Sequence, residues 1–144
     1  MAEHLELKQL LITVARSFLQ YADEACLWSS SAAPHLAKLA AGQRQDVVRI
    51  VTHLQQFAPG VEFGTYPTSY TDLHFISLEF LVHQLVRNQT GLVNQIEGLL
   101  GAAIEDASES SLLADMLSNE REILDGIKQL AAADHQTTSA GQNG

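Results

Sequence analysis

Apolar residues recur along this chain in alternating steps of three and four, the period of one face of an α-helix. The first such seam is Leu7, Leu11, Val14, Phe18, Tyr21, Ala25 and Trp28, within a helix predicted from about Glu3 to Trp28. A second line, Leu5, Ile12, Leu19 and Cys26, runs beside it at intervals of seven. Two apolar lines exceed what one seam buries. A homodimer contact through Leu5, Ile12 and Leu19 is therefore expected, with a broad core face as the alternative.

Ser29, Ser30 and Ser31 interrupt the pattern and offer N-caps, and Pro34 suits the first turn of the next helix. That second helix runs to about Phe57 along Leu36, Ala40, Gln43, Val47, Ile50, Leu54 and Phe57, and Pro59 and Gly60 stop it. The third opens at Thr71 or Asp72 and reaches about Ala103. Its seam is Phe75, Leu78, Val82, Leu85, Gln89, Leu92, Ile96 and Leu99. The fourth runs from about Ser108 to Ala132 along Leu113, Leu117, Glu120, Leu124, Ile127 and Ala131, after an Asp106–Glu109 pair that resembles a capping box. The reading is an all-α four-helix bundle over residues 1–132, followed by a flexible polar tail over 133–144.

Three seam positions are polar: Gln43, Gln89 and Glu120, each near the middle of a different helix. A buried polar group left without a partner costs about 1–3 kcal/mol. An internal hydrogen-bonded layer of these three, with Asp46 beside Gln43, is the expectation. Such a layer could fix the register of the helices. Without a cation nearby, the Glu120 carboxyl is expected to hold its proton above the usual range.

The connection from Ala58 to about Thr71 is long for a compact domain. A helix of about 25 residues is roughly 38 Å long, and fourteen extended residues reach at most about 46 Å. The segment can therefore run the length of the bundle, so that helices two and three start at the same end. This is the signature of a bundle with a crossover. Six of the nine aromatic residues, Phe57, Phe63, Tyr66, Tyr70, Phe75 and Phe80, fall in or beside it. Packing along the bundle is the simple role for them. A pocket or partner surface built on Phe63, Tyr66 and Tyr70 is the functional alternative.

Four long helices with a crossover between the second and third resemble the ferritin-like superfamily of ferritins, rubrerythrins and Dps-type proteins. The resemblance covers about residues 3–132 and rests on architecture and seam pattern. In members with a di-iron site, one helix of each pair carries a Glu and the other carries Glu-x-x-His. Here the first helix offers Val14 and Phe18, which cannot ligate. Gln43-Arg44-Gln45-Asp46 stands at one Glu-x-x-His position, and Gln89 replaces a Glu. Glu120-Arg121-Glu122-Ile123 keeps the Glu and has Ile where His is needed. The resemblance thus implies a ferritin-like fold with degenerate metal-ligand positions. No cofactor is favoured, and a non-catalytic binding or interaction module is expected. The alternative is an iron, manganese or zinc protein, or a metal-dependent oxidoreductase, whose non-standard site draws on Asp46, Glu79, His83 and Glu120.

Composition narrows the partners. Acidic residues outnumber basic ones 17 to 8, which disfavours nucleic acid and anionic membranes, since both need a Lys/Arg surface. The excess is concentrated late: nine acids but only Arg121 and Lys128 lie between Glu97 and Asp134. That pattern reads first as a solvated face. No apolar run is long enough for a membrane span, and the N-terminus has no basic leader. A cytoplasmic protein is expected. The lone Cys26 allows no intrachain disulfide. No phosphate-cradling glycine loop or nucleophile elbow is present.

Overall fold

The computed structural model of the chain describes residues 5–24, 33–57, 65–67, 78–102 and 107–143. Among these the architecture is all-helical. Five helical segments follow one another: α1 (Leu5–Ala15), α2 (Phe18–Glu24), α3 (Ala33–Gln55), α4 (Leu78–Gly101) and α5 (Ala107–Asn143). They build a four-helix bundle, because α1 and α2 occupy one corner in succession. No described helix is long and apolar enough to cross a membrane. The last helix extends past Ala132, where the sequence pattern placed its end.

The first predicted helix is broken at Arg16–Ser17, and the break has identifiable chemistry. The Ser17 Oγ accepts the backbone N–H of Gln20 at 3.3 Å, the bond an N-cap makes to the third residue of its helix. The Phe18 N–H is taken by the Asn88 side chain of α4 at 3.0 Å. A backbone donor freed by the break is thereby satisfied from a neighbouring helix. α3 begins with Pro34 in its first turn, where the missing N–H removes no helical bond. It ends in a tightened turn, with Phe57 N–H bonded to the Leu54 carbonyl three residues back.

The core consists of two apolar clusters. The first joins Leu7, Leu10, Leu11 and Val14 of α1 to Ile50 and Leu54 of α3, Leu92, Val93 and Ile96 of α4, and Leu113, Met116 and Leu117 of α5. The second joins Phe18, Leu19, Tyr21 and Ala22 of α2 to Leu36 and Ala40 of α3, Leu81, Val82 and Leu85 of α4, and Ile123 and Ile127 of α5. α3 and α4 both enter at the second cluster and leave at the first, so they run parallel. The α1–α2 corner and α5 run against them. Both α3 and α4 pack on the α1–α2 corner and on α5.

The break corrects one expectation. Leu5 and Ile12 are exposed at 52% and 39%, but Leu19 is 2% exposed and belongs to the second cluster. Counting sevens across a helix break does not preserve the face, so the three residues form no single outward line. Phe57, placed at the end of an apolar seam, is half-exposed. Ala25, Cys26, Trp28, Phe63, Tyr70, Phe75 and Asp106 lie outside the described residues. The side chains of Leu78, Glu79, Phe80 and Ala131 also lie outside them.

Candidate functional site

Between the two apolar clusters lies a layer of buried polar side chains: Ser17, Gln20, Gln43, Asp46, Gln89 and Glu120, none more than 5% exposed. Each sits at the level where a helix passes from one cluster to the other. Gln43 of α3 is the hub. Its Oε1 accepts from the Ser17 hydroxyl at 2.6 Å and from the Gln20 amide at 3.0 Å. Its Nε2 donates to Gln89 Oε1 at 3.1 Å and to Glu120 Oε1 at 2.8 Å. All four hydrogen-bonding capacities of this amide are filled.

Gln89 of α4 closes the layer on the other side. Its Nε2 donates to both the Oε1 and the backbone carbonyl of Glu120, at 2.8 and 3.0 Å. Gln20 donates also to the Ala40 carbonyl at 2.8 Å and accepts from Arg44 at 3.0 Å. Asn119 of α5 donates to the Gly42 carbonyl at 3.0 Å and to Asp46 Oδ2 at 2.9 Å. The other oxygen of Asp46 pairs with Arg49 one turn further on. Every corner of the bundle contributes to the layer.

Glu120 is the electrostatic centre. Its Oε1 accepts two amide N–H groups, whereas its buried Oε2 meets no donor. The carboxyl of Asp46 is close enough to disfavour ionisation of Glu120. Two carboxylates cannot bond each other without a proton between them. The arrangement is satisfied when Glu120 carries the proton and donates it to Asp46. Burial is the main cause that pushes the Glu120 carboxyl up to about 9. The Asp46 neighbour adds to the shift, and the amides of Gln43 and Gln89 oppose it.

The structure therefore brings Gln43, Asp46, Gln89 and Glu120 together. It does not bring His83 to them, because His83 of α4 is exposed. Among the described residues, no three His, Cys, Asp or Glu side chains gather closely enough to hold a metal ion. Sequence reasoning missed Ser17, Gln20 and Asn119. A signal for the first two was present: Ser17-Phe18-Leu19-Gln20 has the Ser-x-x-Gln form of a capping box, which marks a helix start in the middle of an apparent helix. His53 is a further buried polar residue outside the layer. Its Nε2 has no partner, and its ring lies 5.4 Å from that of Phe57.

Two recesses flank the layer. One of about 580 Å³ lies between α3 and α5, where Gly42 and Asn119 of the polar layer's edge form part of its wall. The other, of about 500 Å³, lies at the break between α1 and α2, with Gln20 in its wall and Tyr66 of the α3–α4 connection against it. Tyr66 stands edge-on to the Tyr21 ring at 5.2 Å, and its hydroxyl donates to Glu24 at 2.6 Å. The Arg16 guanidinium lies 5.2 Å from the Tyr66 ring centre. Partial burial, then Glu24, raise the Tyr66 phenol to about 12. No family model, curated protein or solved structure matches this chain.

Proposed function

We propose that this protein is a ferritin-like bundle, with a crossover joining parallel α3 and α4, in which a closed hydrogen-bonded layer stands in place of a di-metal centre. It acts as a non-catalytic binding or interaction module. One observation carries this reading: the Gln43 amide has all four of its hydrogen-bonding capacities engaged inside the layer. An amide so engaged has no lone pair left for a cation. The donor set points the same way. Buried Ile123 stands where one imidazole belongs, and Asp46, where the other belongs, is engaged by Arg49 and Asn119. Two carboxylates, without histidine, do not fit a pair of iron ions. The recesses beside the layer support a binding role, since small-molecule sites are commonly clefts of about 300–1,000 Å³ between packed helices.

A second reading is a metal-binding protein or metal-dependent oxidoreductase with a non-standard site. A single observation favours it: the buried Oε2 of Glu120 has no hydrogen-bond donor, which leaves an oxygen open to a cation. Metal analysis separates the two. The protein is expressed with added iron, manganese and zinc, purified without chelator and measured for metal content. The first reading predicts far less than one ion per chain and no thermal stabilisation by added metal. One ion per chain, lost in Glu120→Gln, would establish the second. Solution mass measured on the same sample tests the homodimer, which now rests on exposed Leu5 and Ile12 alone.

A further inference from the structure

The recess at the α1–α2 break is walled by opposite charges from different helices. Asp23 and Glu24 come from α2, Arg44 comes from α3, and Arg16 lies at the break itself. Two acids and two guanidinium groups leave the wall electrically neutral. They are already matched within the protein: Arg44 meets Asp23 at 3.5 Å, and the Tyr66 hydroxyl is held by Glu24. The Arg44–Asp23 pair is long, and the Arg44 side chain is 53% exposed. An exposed pair of this kind contributes little to stability, so a ligand can replace it at little cost. A ligand with a net charge would leave one wall group unmatched. A ligand carrying both charges would replace the pair without doing so. Between the charged groups the lining is small and apolar, from Ala15 and Val47, with the Tyr66 ring alongside.

We infer that this recess binds a small zwitterion of the free α-amino acid class, its carboxylate on Arg44 and Arg16 and its ammonium on Asp23 and Glu24. The inference rests on the binding-module reading and gives that module its ligand class. A guanidinium offers a carboxylate two parallel N–H donors, and an ammonium offers three donors to the acids opposite. Gln20 makes the site more than a surface notch. Its side chain lines the recess, accepts from Arg44 and donates to Gln43 at the centre of the layer. A carboxylate on Arg44 thus sits one side chain away from the buried layer.

The test uses the full chain and the twenty free L-amino acids, with calorimetric titration and thermal unfolding as readouts. At least one amino acid is expected to bind one-to-one below about 10 mM and to raise Tm. Its N-acetyl and carboxamide derivatives, which lack one charge each, are expected to bind at least about tenfold more weakly. Arg44→Gln and Asp23→Asn should each weaken binding by a similar factor, while each variant unfolds as cooperatively as the parent. Absence of binding by all twenty overturns the inference. Binding that survives N-acetylation overturns it too, because that pocket takes any carboxylate. Binding retained in both variants places the ligand elsewhere and likewise overturns it. If the amino acids fail while the metal content stays low, only the ligand assignment falls. One metal ion per chain overturns the module reading whatever the amino acids do.

Discussion

The apolar clusters and the polar layer between them hold the bundle together in different ways. In the first cluster, Leu10, Leu11, Ile50 and Ile96 are fully buried against one another. Their attraction is non-directional and scales with the area removed from water. Many combinations of aliphatic side chains of equal volume satisfy it. In the layer, most polar atoms have a named partner at a fixed distance, and sliding a helix by a single turn would break the bonds that it makes to the other helices. The clusters supply most of the stability, and the layer fixes which residues face each other. Burying polar groups for the sake of register is the best-attested use of such layers.

The sharpest contrast comes from two substitutions of similar volume. Gln43→Met keeps the size of the hub and removes its four hydrogen bonds, stranding the Ser17 hydroxyl and the Gln89 carbonyl oxygen and leaving Gln20 and Glu120 one bond short each. At about 1–3 kcal/mol for each orphaned group, and with partial relaxation, the expected loss is roughly 4 kcal/mol or more. Leu10→Met, a change of similar shape within the first cluster, should cost less than about 1.5 kcal/mol. Urea unfolding of both variants checks the pair, and equal losses would erase the distinction between layer and clusters.

The next effect lies in pH. The folded protein holds the Glu120 proton up to about 9, whereas the unfolded chain releases it near 4.5. Below 4.5 both states carry the proton, and this group's contribution to stability is at its maximum. Between 4.5 and about 9 the folded state binds more protons than the unfolded state, so stability falls as pH rises. By pH 7 this group alone lowers stability by roughly 3 kcal/mol relative to pH 4.5. Glu120→Gln should flatten that slope, because a neutral amide can donate to Asp46 at every pH. Stability curves of parent and variant across this range give the comparison. A smaller loss, about 1–2 kcal/mol, is expected for Ser17→Ala, which removes the N-cap of α2 and one acceptor-side bond at Gln43. It should increase amide exchange at Phe18–Gln20 before it affects exchange elsewhere.

Much of the fold was legible in the pattern of apolar seams. Leu36, Ala40, Ile50 and Leu54 of α3, and Val82, Leu85, Leu92 and Ile96 of α4, face the core as their spacing indicates. Gln43, Gln89 and Glu120 were visible because each interrupts such a seam at mid-helix. The α1–α2 break was not read, because Phe18 and Tyr21 continue the three-four rhythm across it and remain buried on the far side. Its effect appears in Leu19, Gln20 and Ala22, which turn inward with them and leave five successive residues of α2 buried. Asn119 escaped notice for a different reason. It lies one position before the seam residue Glu120, and only its bonds to Gly42 and Asp46 reveal that it completes the layer. Periodicity locates a face, but it does not show which side chains at the edge of that face reach across to another helix.

The state of Glu120 as a neutral, proton-donating member of the layer is read by following its side-chain carboxyl carbon by ¹³C NMR as pH is varied, with Glu120→Gln identifying the resonance. A protonated carboxyl at pH 7 that titrates near 9 is expected. An ionised carboxylate at pH 7, with a midpoint near the ordinary 4.5, would contradict it.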